Sequence, residues 1–386
     1  MDGQTRTARR RARLVRTLQS AGVLPDPAWR DAFAEVPRHL FLTRFFRAAA
    51  DGRWLAVDRA DPDWLDQVYA DQVLITQLDD DPARWTVARE SGPVFGVPTS
   101  SSSQPAIMAV MLTVLTAAPG HRVLEIGTGT GYNAALLCHR LGHGRVTTVD
   151  IDAGLVATAR ERLADCGYTP TCVAGDGAEG HPGGAPYDRV LATCSVATIP
   201  LPWLAQTVPG GVVVTTLHRP LGAGLVRITV GDGATGEGRV LAEDGRFMPL
   251  RAHRVVTASR PDAADSDVRP TALGADVLTS YRSRFEFYAG LALPEATATA
   301  DQDGTVWLAH PDGSWVRHGT SKHRHQVWQG GPRRLWDTVE AAYDEWQALG
   351  RPARDRFGIT VRPDRQELWL DNPAGPHHWP LTTAIG

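Results

Sequence analysis

Three glycines, Gly127, Gly129 and Gly131, alternate with Thr128 and Thr130 directly after the apolar run Val123-Leu124-Glu125-Ile126. Glycines at that spacing let the backbone turn sharply and approach a ligand that a Cβ would exclude. The apolar run predicts a buried parallel strand, and a helix is predicted from about Tyr132 to Leu141. The next apolar strand, Val146 to Val149, closes on Asp150, where a doubly wound sheet places a carboxylate to accept hydrogen bonds from ribose hydroxyls. The chemistry so described is the cradling of a nucleoside-bearing ligand. The dinucleotide fingerprint needs a glycine where Tyr132 stands, so NAD is disfavoured. A further turn, Gly175-Asp176-Gly177, follows the third strand, and the serine run Ser100 to Ser103 leads through Gln104 and Pro105 into an apolar helix.

These residues must be positioned by the alternation of strand and helix between 121 and 230. Strands are predicted at Arg122 to Ile126, Arg145 to Val149, Pro170 to Val173, Tyr187 to Ala192, Gly211 to Leu217 and Gly224 to Val230. Such alternation argues a parallel sheet with crossover helices. The helix after the serines is predicted from Ala106 to about Leu115. Residues 1 to about 50 read as helices, because Leu14 and Leu18, then Trp29, Phe33 and Val36, recur at helical spacing until Pro37. Gln72 to Thr76 is strand-like, and Asp79-Asp80-Asp81-Pro82 reads as a solvated turn. A polar stretch from Ser259 to Ser266 reads as a linker.

Beyond that linker stand seven of the twelve tryptophans: Trp307, Trp315, Trp328, Trp336, Trp346, Trp369 and Trp379. Hairpins are predicted around Pro311-Asp312-Gly313 and Pro363-Asp364, with a helix between them carrying Leu335, Val339, Ala342, Tyr343 and Trp346 on one face. Large aromatics contribute most where few residues are available, so the tryptophans are expected to build a small core with one or two left for peptide contact. The three-part division expected is 1–98 (N-terminal helices and an insertion), 99–258 (the ligand-binding core) and 259–386 (a small α+β domain).

With 386 residues and 42% hydrophobic content the chain is globular and long enough for two domains. A net charge of -3 gives no general attraction to nucleic acid or anionic membrane, and the N-terminal arginines Arg6 to Arg16 read as a solvated helix face. Cys138, Cys166, Cys172 and Cys194 lack paired spacing, which argues against a disulfide framework and for a reducing cytoplasm. No apolar stretch reaches membrane-spanning length, and the arginine-rich start lacks the apolar segment of a secretory signal. His318, His323, His325, His377 and His378 have no partnering carboxylate or cysteine spacing, so no metal is expected.

The pattern E-x-G-x-G-x-G resembles the S-adenosyl-L-methionine turn of class I methyltransferases. Ser103-Gln104-Pro105, the glycine turn, Gly175-Asp176-Gly177, Ala185-Pro186-Tyr187-Asp188 and Phe247-Met248-Pro249-Leu250 occur in the order found in protein-L-isoaspartate O-methyltransferases. The resemblance covers about 30 to 255, with 77 to 97 as an insertion. It implies an α/β, Rossmann-like doubly wound sheet with N-terminal helices and an added C-terminal domain. It also implies that Ser103 contacts the substrate carboxylate as the catalytic residue. Cofactor contacts are implied for Ser102, Ser103, Glu125, Gly127, Thr128, Gly129, Gly131, Asp150, Ile151, Asp176, Gly177 and Arg251, although arginine at 251 is atypical of the family. Ser103 is also placed to cap the following helix.

Two departures bear on the substrate. The four-serine run and the tryptophan-rich tail are expected to be absent from the housekeeping repair enzymes, which end soon after the sheet, and look similar to variants that accompany ribosomally made, modified peptides, especially graspetides and also some lanthipeptides and lasso peptides. The resemblance then implies methylation of an aspartate in a cyclised precursor peptide, followed by collapse to an aspartimide. The alternatives are isoaspartate repair of damaged proteins and a non-catalytic module that escorts the precursor.

Overall fold

The computed structural model describes residues 3–251, 267–280, 283–301, 303–321 and 324–381. The expected linker at 259–266 and His323 lie outside the described residues. The chain divides into two compact units: Met1–Cys194 with Pro200–Val214 and Thr229–Ala234, and Ser195–Ile199 with Thr215–Ile228 and Thr235–Gly386. This differs from the division at 98 and 258. The reason lies in strand pairing, because Phe357–Val361 of the tail runs antiparallel along Gly236–Val240, which precedes the expected linker.

In the first unit the strands Val123–Ile126, Val146–Asp150, Thr171–Ala174 and Tyr187–Val196 are parallel neighbours. Numbered along the chain, their order across the sheet is 3-2-1-4, so the order reverses beside Val123–Ile126. Open α/β sheets bind ligands at that switch point, outside the carboxyl ends of the strands, and here it carries the glycine turn. Val123, Leu124 and Ile126 are buried, as a strand covered on both faces requires. Helices Tyr132–Leu141 and Ala153–Asp165 cross between the strands; Asp152 caps the second by accepting the Gly154 and Leu155 N–H groups.

The helical reading of the first 50 residues holds for Gly3–Ser20, Pro27–Glu35 and Arg38–Phe41, but Arg44–Ala48 is a strand. It belongs to a four-stranded antiparallel sheet ordered Trp54–Asp58, Arg44–Ala48, Leu74–Leu78, Pro98–Ser102. The cause is tertiary: Phe46 packs with Leu78 and Ala88, and Trp54, Trp85 and Val94 close the cluster. The expected insertion supplies helix Arg84–Ser91 to that cluster. Asp79 and Asp80, both at φ 55, form the left-handed bend that leads into it.

The second unit contains the antiparallel succession Gly236–Val240, Phe357–Val361, Gln366–Leu370, His378–Pro380. A five-stranded sheet runs Asp267–Thr271, Arg324–Gly330, Trp315–Ser321, Val306–Ala309, Thr297–Ala300. Both predicted hairpins form, and helix Leu335–Ala348 lies between them in sequence. Trp315, Trp336, Trp346 and Trp369 are buried, and Trp307, Trp328 and Trp379 are half-buried, so none of the seven stands exposed.

Candidate active site

The glycine turn adopts the conformation its residue types allow. Gly127, Gly129 and Gly131 have φ of +95°, +50° and +84°, the left-handed region that favours glycine. A Cβ on Gly127 would stand 2.6 Å from Thr193 Oγ1, and one on Gly129 would stand 3.5 Å from the Ser101 carbonyl oxygen. The second distance places the serine strand Pro98–Ser102 directly beside the turn. Asp150 fixes the turn from the next strand: its Oδ2 accepts the Gly129 N–H at 2.9 Å and its Oδ1 accepts the Asp152 N–H at 3.1 Å. Each carboxylate oxygen can accept more than one bond, which leaves capacity for ribose hydroxyls. Ile151, next in the chain, is 45% exposed, an uncovered apolar surface beside the carboxylate.

Three residues expected at the cofactor instead turn their side chains to buried partners within the protein. Glu125 is fully buried, its Oε1 accepting from the Asn133 amide at 2.6 Å and its Oε2 from the Thr148 hydroxyl at 2.7 Å. Burial pushes its carboxyl up to about 7, against the opposing effect of those two donors. The Thr128 hydroxyl lies 2.7 Å from that of Thr148, turned into the same buried network. Ser102 is buried as well, and its hydroxyl accepts from Arg38. These side chains act on the ligand site through the backbone they position.

Ser103 is half-buried, and among the described residues its hydroxyl makes no hydrogen bond. The expected capping role falls elsewhere: Asp71 Oδ1 accepts the Ala106 N–H at 2.8 Å in the first turn of helix Pro105–Leu115, and Asp71 Oδ2 accepts from the Gln104 amide at 2.9 Å. Thirty-odd residues of chain separate this acid from the helix start it serves, so the sequence around Ser103 does not reveal it. The Ser103 hydroxyl is thereby left available to a ligand.

Arg38 is the residue that sequence reasoning missed. It is fully buried, and its guanidinium donates to the carbonyls of Val68, Ala70, Gln72 and Ser103 and to the Ser102 hydroxyl, at 3.0 to 3.4 Å. Its carbon Cζ lies 5.7 Å from the centre of the Tyr132 ring, at the start of the helix after the glycine turn. Burial pulls its pKa down to about 10, which leaves it protonated at neutral pH. One cation thus fixes the serine segment. Its only local signal was an arginine following Pro37, with nothing to distinguish it from a surface arginine.

Asp176 accepts the Ala178 N–H at 2.9 Å and caps the short turn Gly177–Glu179; the Gly177 carbonyl accepts the Trp203 indole N–H at 2.7 Å. Arg251 is exposed and belongs to the second unit, where Leu250 N–H bonds to the Ser195 carbonyl. The residues of the first unit fit S-adenosyl-L-methionine: a Cβ-free turn for close approach, a carboxylate for ribose and an exposed isoleucine for an apolar ring face.

The profile of the family described as Protein-L-isoaspartate(D-aspartate) O-methyltransferase (PCMT) matches residues 87–239. The protein-L-isoaspartate O-methyltransferase of Azorhizobium caulinodans is 38% identical over 151 residues, which cover 39% of this chain and 68% of the relative. That of Methylorubrum populi is 32% identical over 219 residues, 57% of this chain and 84% of the relative. A solved structure of a protein-L-isoaspartate O-methyltransferase shares the fold, with a TM-score of 0.53 at 22% identity, over 94% of this chain and 100% of that one. Coverage so wide takes in most of the tail, so the expectation that such a chain ends soon after the sheet does not hold for that structure. Relatives matched over more than two thirds of their own length, on a sheet whose switch point carries the glycine turn, lead to one conclusion: the chain belongs to the protein-L-isoaspartate O-methyltransferase family, carboxyl O-methyltransferases that use S-adenosyl-L-methionine on the class I fold.

Proposed function

We propose that the chain methylates the free carboxylate of L-isoaspartyl residues in peptides and proteins. The observation that carries the reading is the Ser103 segment, pinned by Arg38 beside the glycine turn with its hydroxyl unengaged. Bound S-adenosyl-L-methionine supplies an electrophilic methyl group on a sulfonium. Asp150 would hold the ribose, and the turn Gly127–Gly131 would admit the methionine portion. Ser103 donates a hydrogen bond to one carboxylate oxygen and so directs the other at the methyl carbon. The attacking oxygen forms the O–CH3 bond as the C–S bond breaks, and sulfur keeps the electron pair. The free carboxylate of an isoaspartyl residue, an α-carboxyl with an ordinary pKa of about 3.5, is already ionised at neutral pH, so the transfer requires no general base. Holding the reactants about 3 Å apart supplies on the order of 7 kcal/mol or more. In the ester, the nitrogen of the following residue attacks the carbonyl, methanol leaves with that nitrogen's proton, and a five-membered imide forms.

A second reading keeps the same site but takes an ordinary L-aspartate in a cyclised ribosomal precursor of the graspetide type. The run of four serines, Ser100 to Ser103, supports it. Mass spectrometry separates the two. Unrelated linear isoaspartyl peptides should gain one methyl group and later lose methanol, while their aspartyl counterparts stay unmodified. Methylation of aspartate only within a ring would replace the first reading with the second. Binding of S-adenosylhomocysteine without methylation of any peptide would leave only the escort role.

A further inference from the structure

The second unit holds a concavity of about 460 Å³ beside the short helix Asp276–Thr279, the start of helix Phe285–Ala292 and the end of helix Leu335–Ala348. Its volume is within the range of sites that take small ligands or peptide side chains. One wall is aromatic. The Phe285 ring lies 5.0 Å from Tyr343 and 5.5 Å from Trp346, and the Trp346 indole N–H is tied to the Pro352 carbonyl at 3.0 Å. Arg284 and Arg351, both exposed, line the same space.

Several guanidinium groups of this unit meet carboxylates: Arg246 with Glu286, Arg269 with Asp337 and Glu340, Arg354 with Asp244, Arg356 with Asp371. Others end on carbonyls or rings, as Arg239 does on the Arg356 and Asp371 carbonyls and Arg317 over Trp328. Among the described residues neither Arg284 nor Arg351 has an acidic partner, and the side-chain bond of Arg351 goes to the neutral Gln347 amide at 3.2 Å. Asp276 is the acid of the lining, and its Oδ1 abuts Gly274, near the His325 ring. Arg351 also sits at φ 56, directly after Gly350 at φ 78. A bulky residue in that region is uncommon, and such outliers gather where a side chain serves a ligand.

We propose that this concavity docks an acidic segment of the peptide substrate. Arg284 and Arg351 take its carboxylates through paired N–H donors, and its chain lies against the half-buried Tyr343 ring, which the buried Phe285 and Trp346 back from the core side. Charge complementarity selects the occupant: two cations without an acidic partner, against one acid in the lining, favour an anionic chain. The proposal rests on the reading of this protein as a peptide carboxyl methyltransferase.

The test uses the full chain and two fluorescein-labelled synthetic peptides, one with several aspartates spaced by glycine and threonine, the other with asparagine at each aspartate. Fluorescence anisotropy measures their affinity for the natural protein and for an R284Q/R351G double variant. R351G suits the left-handed backbone, so thermal melting should show the fold retained. The acidic peptide should bind the variant about tenfold more weakly, and its binding to the natural protein should weaken with added salt. Equal affinity for both proteins, or an equal loss with the asparagine peptide, would overturn the docking site. Methyl transfer to an isoaspartyl peptide without other acids is measured in parallel. Its absence, with the anisotropy difference intact, would remove the catalytic reading and leave the acidic site standing.

Discussion

The surroundings of the glycine turn and the tryptophan-rich unit are held by different kinds of interaction. Around the turn, buried and half-buried polar side chains end on backbone: Arg38 on the carbonyls of Val68, Ala70, Gln72 and Ser103, Asp71 on the Ala106 N–H, Asp150 on the Gly129 N–H. In the second unit the fixed points are rings, such as Trp336 at 4.7 Å from His318 and Trp369 packed over Gly358, with ion pairs at the surface. Apolar packing is non-directional and sets stability, whereas buried hydrogen bonds also set where a backbone atom stands. Substitutions in the first region should therefore act on chemistry, and those in the second on stability and binding.

The largest free-energy effect tests the second half of that contrast. Trp336 is fully buried and donates to the Thr271 hydroxyl at 3.0 Å. Trp336→Ala should cost about 3–5 kcal/mol of stability while leaving S-adenosylhomocysteine affinity in the surviving folded protein unchanged. Calorimetry that finds cofactor binding lost in step with stability would erase the distinction. Next comes Arg38→Met, which strands at least four carbonyls and should cost about 2–4 kcal/mol. It should also slow single-turnover methyl transfer more than its stability loss explains; transfer at the natural rate in a folded variant would deny Arg38 its positioning role.

Asp150→Ala removes the acceptor for Gly129 N–H and the proposed ribose ligand, so cofactor binding should weaken by about 1.5–3 kcal/mol in a titration with S-adenosylhomocysteine. An unchanged affinity would move the nucleoside elsewhere. Glu125 gives a pH signature. Its folded pKa of about 7 lies above the ordinary 4.5, so its contribution to stability is complete below pH 4.5 and is lost as pH rises through 7. Glu125→Gln keeps a neutral group there. It should melt as the natural protein does at pH 4.5 and exceed it by about 1–2 kcal/mol at pH 8. His39, pushed down to about 4 by burial, acts in the opposite sense in both proteins, so their difference isolates Glu125. The smallest stability change belongs to Ser103→Ala, within about 0.5 kcal/mol, because Asp71 serves the helix start. Its effect should be on the rate of methyl transfer, and a melting loss near 1 kcal/mol would restore the capping role.

Features written in local pattern were legible from the chain alone. The helix predicted from Tyr132 to Leu141 spans those residues, and the strand predicted from Gly224 to Val230 does too, because apolar runs and glycine stops act over a few neighbours. The turn glycines were legible for the same reason: only their residue type tolerates the φ the turn requires. Tertiary structure decided what each polar side chain faces. Glu125 and Thr128 lie in a turn whose pattern suggests ligand contact, yet partners on the strand Val146–Asp150 and the helix Tyr132–Leu141 draw them inward. The serine strand, poor in strand-forming side chains, is a strand because Leu74–Leu78 offers it hydrogen bonds. Arg38 reaches carbonyls 30 to 65 residues away in the chain. A hydrogen bond depends on distance in space, and only the folded chain sets that distance.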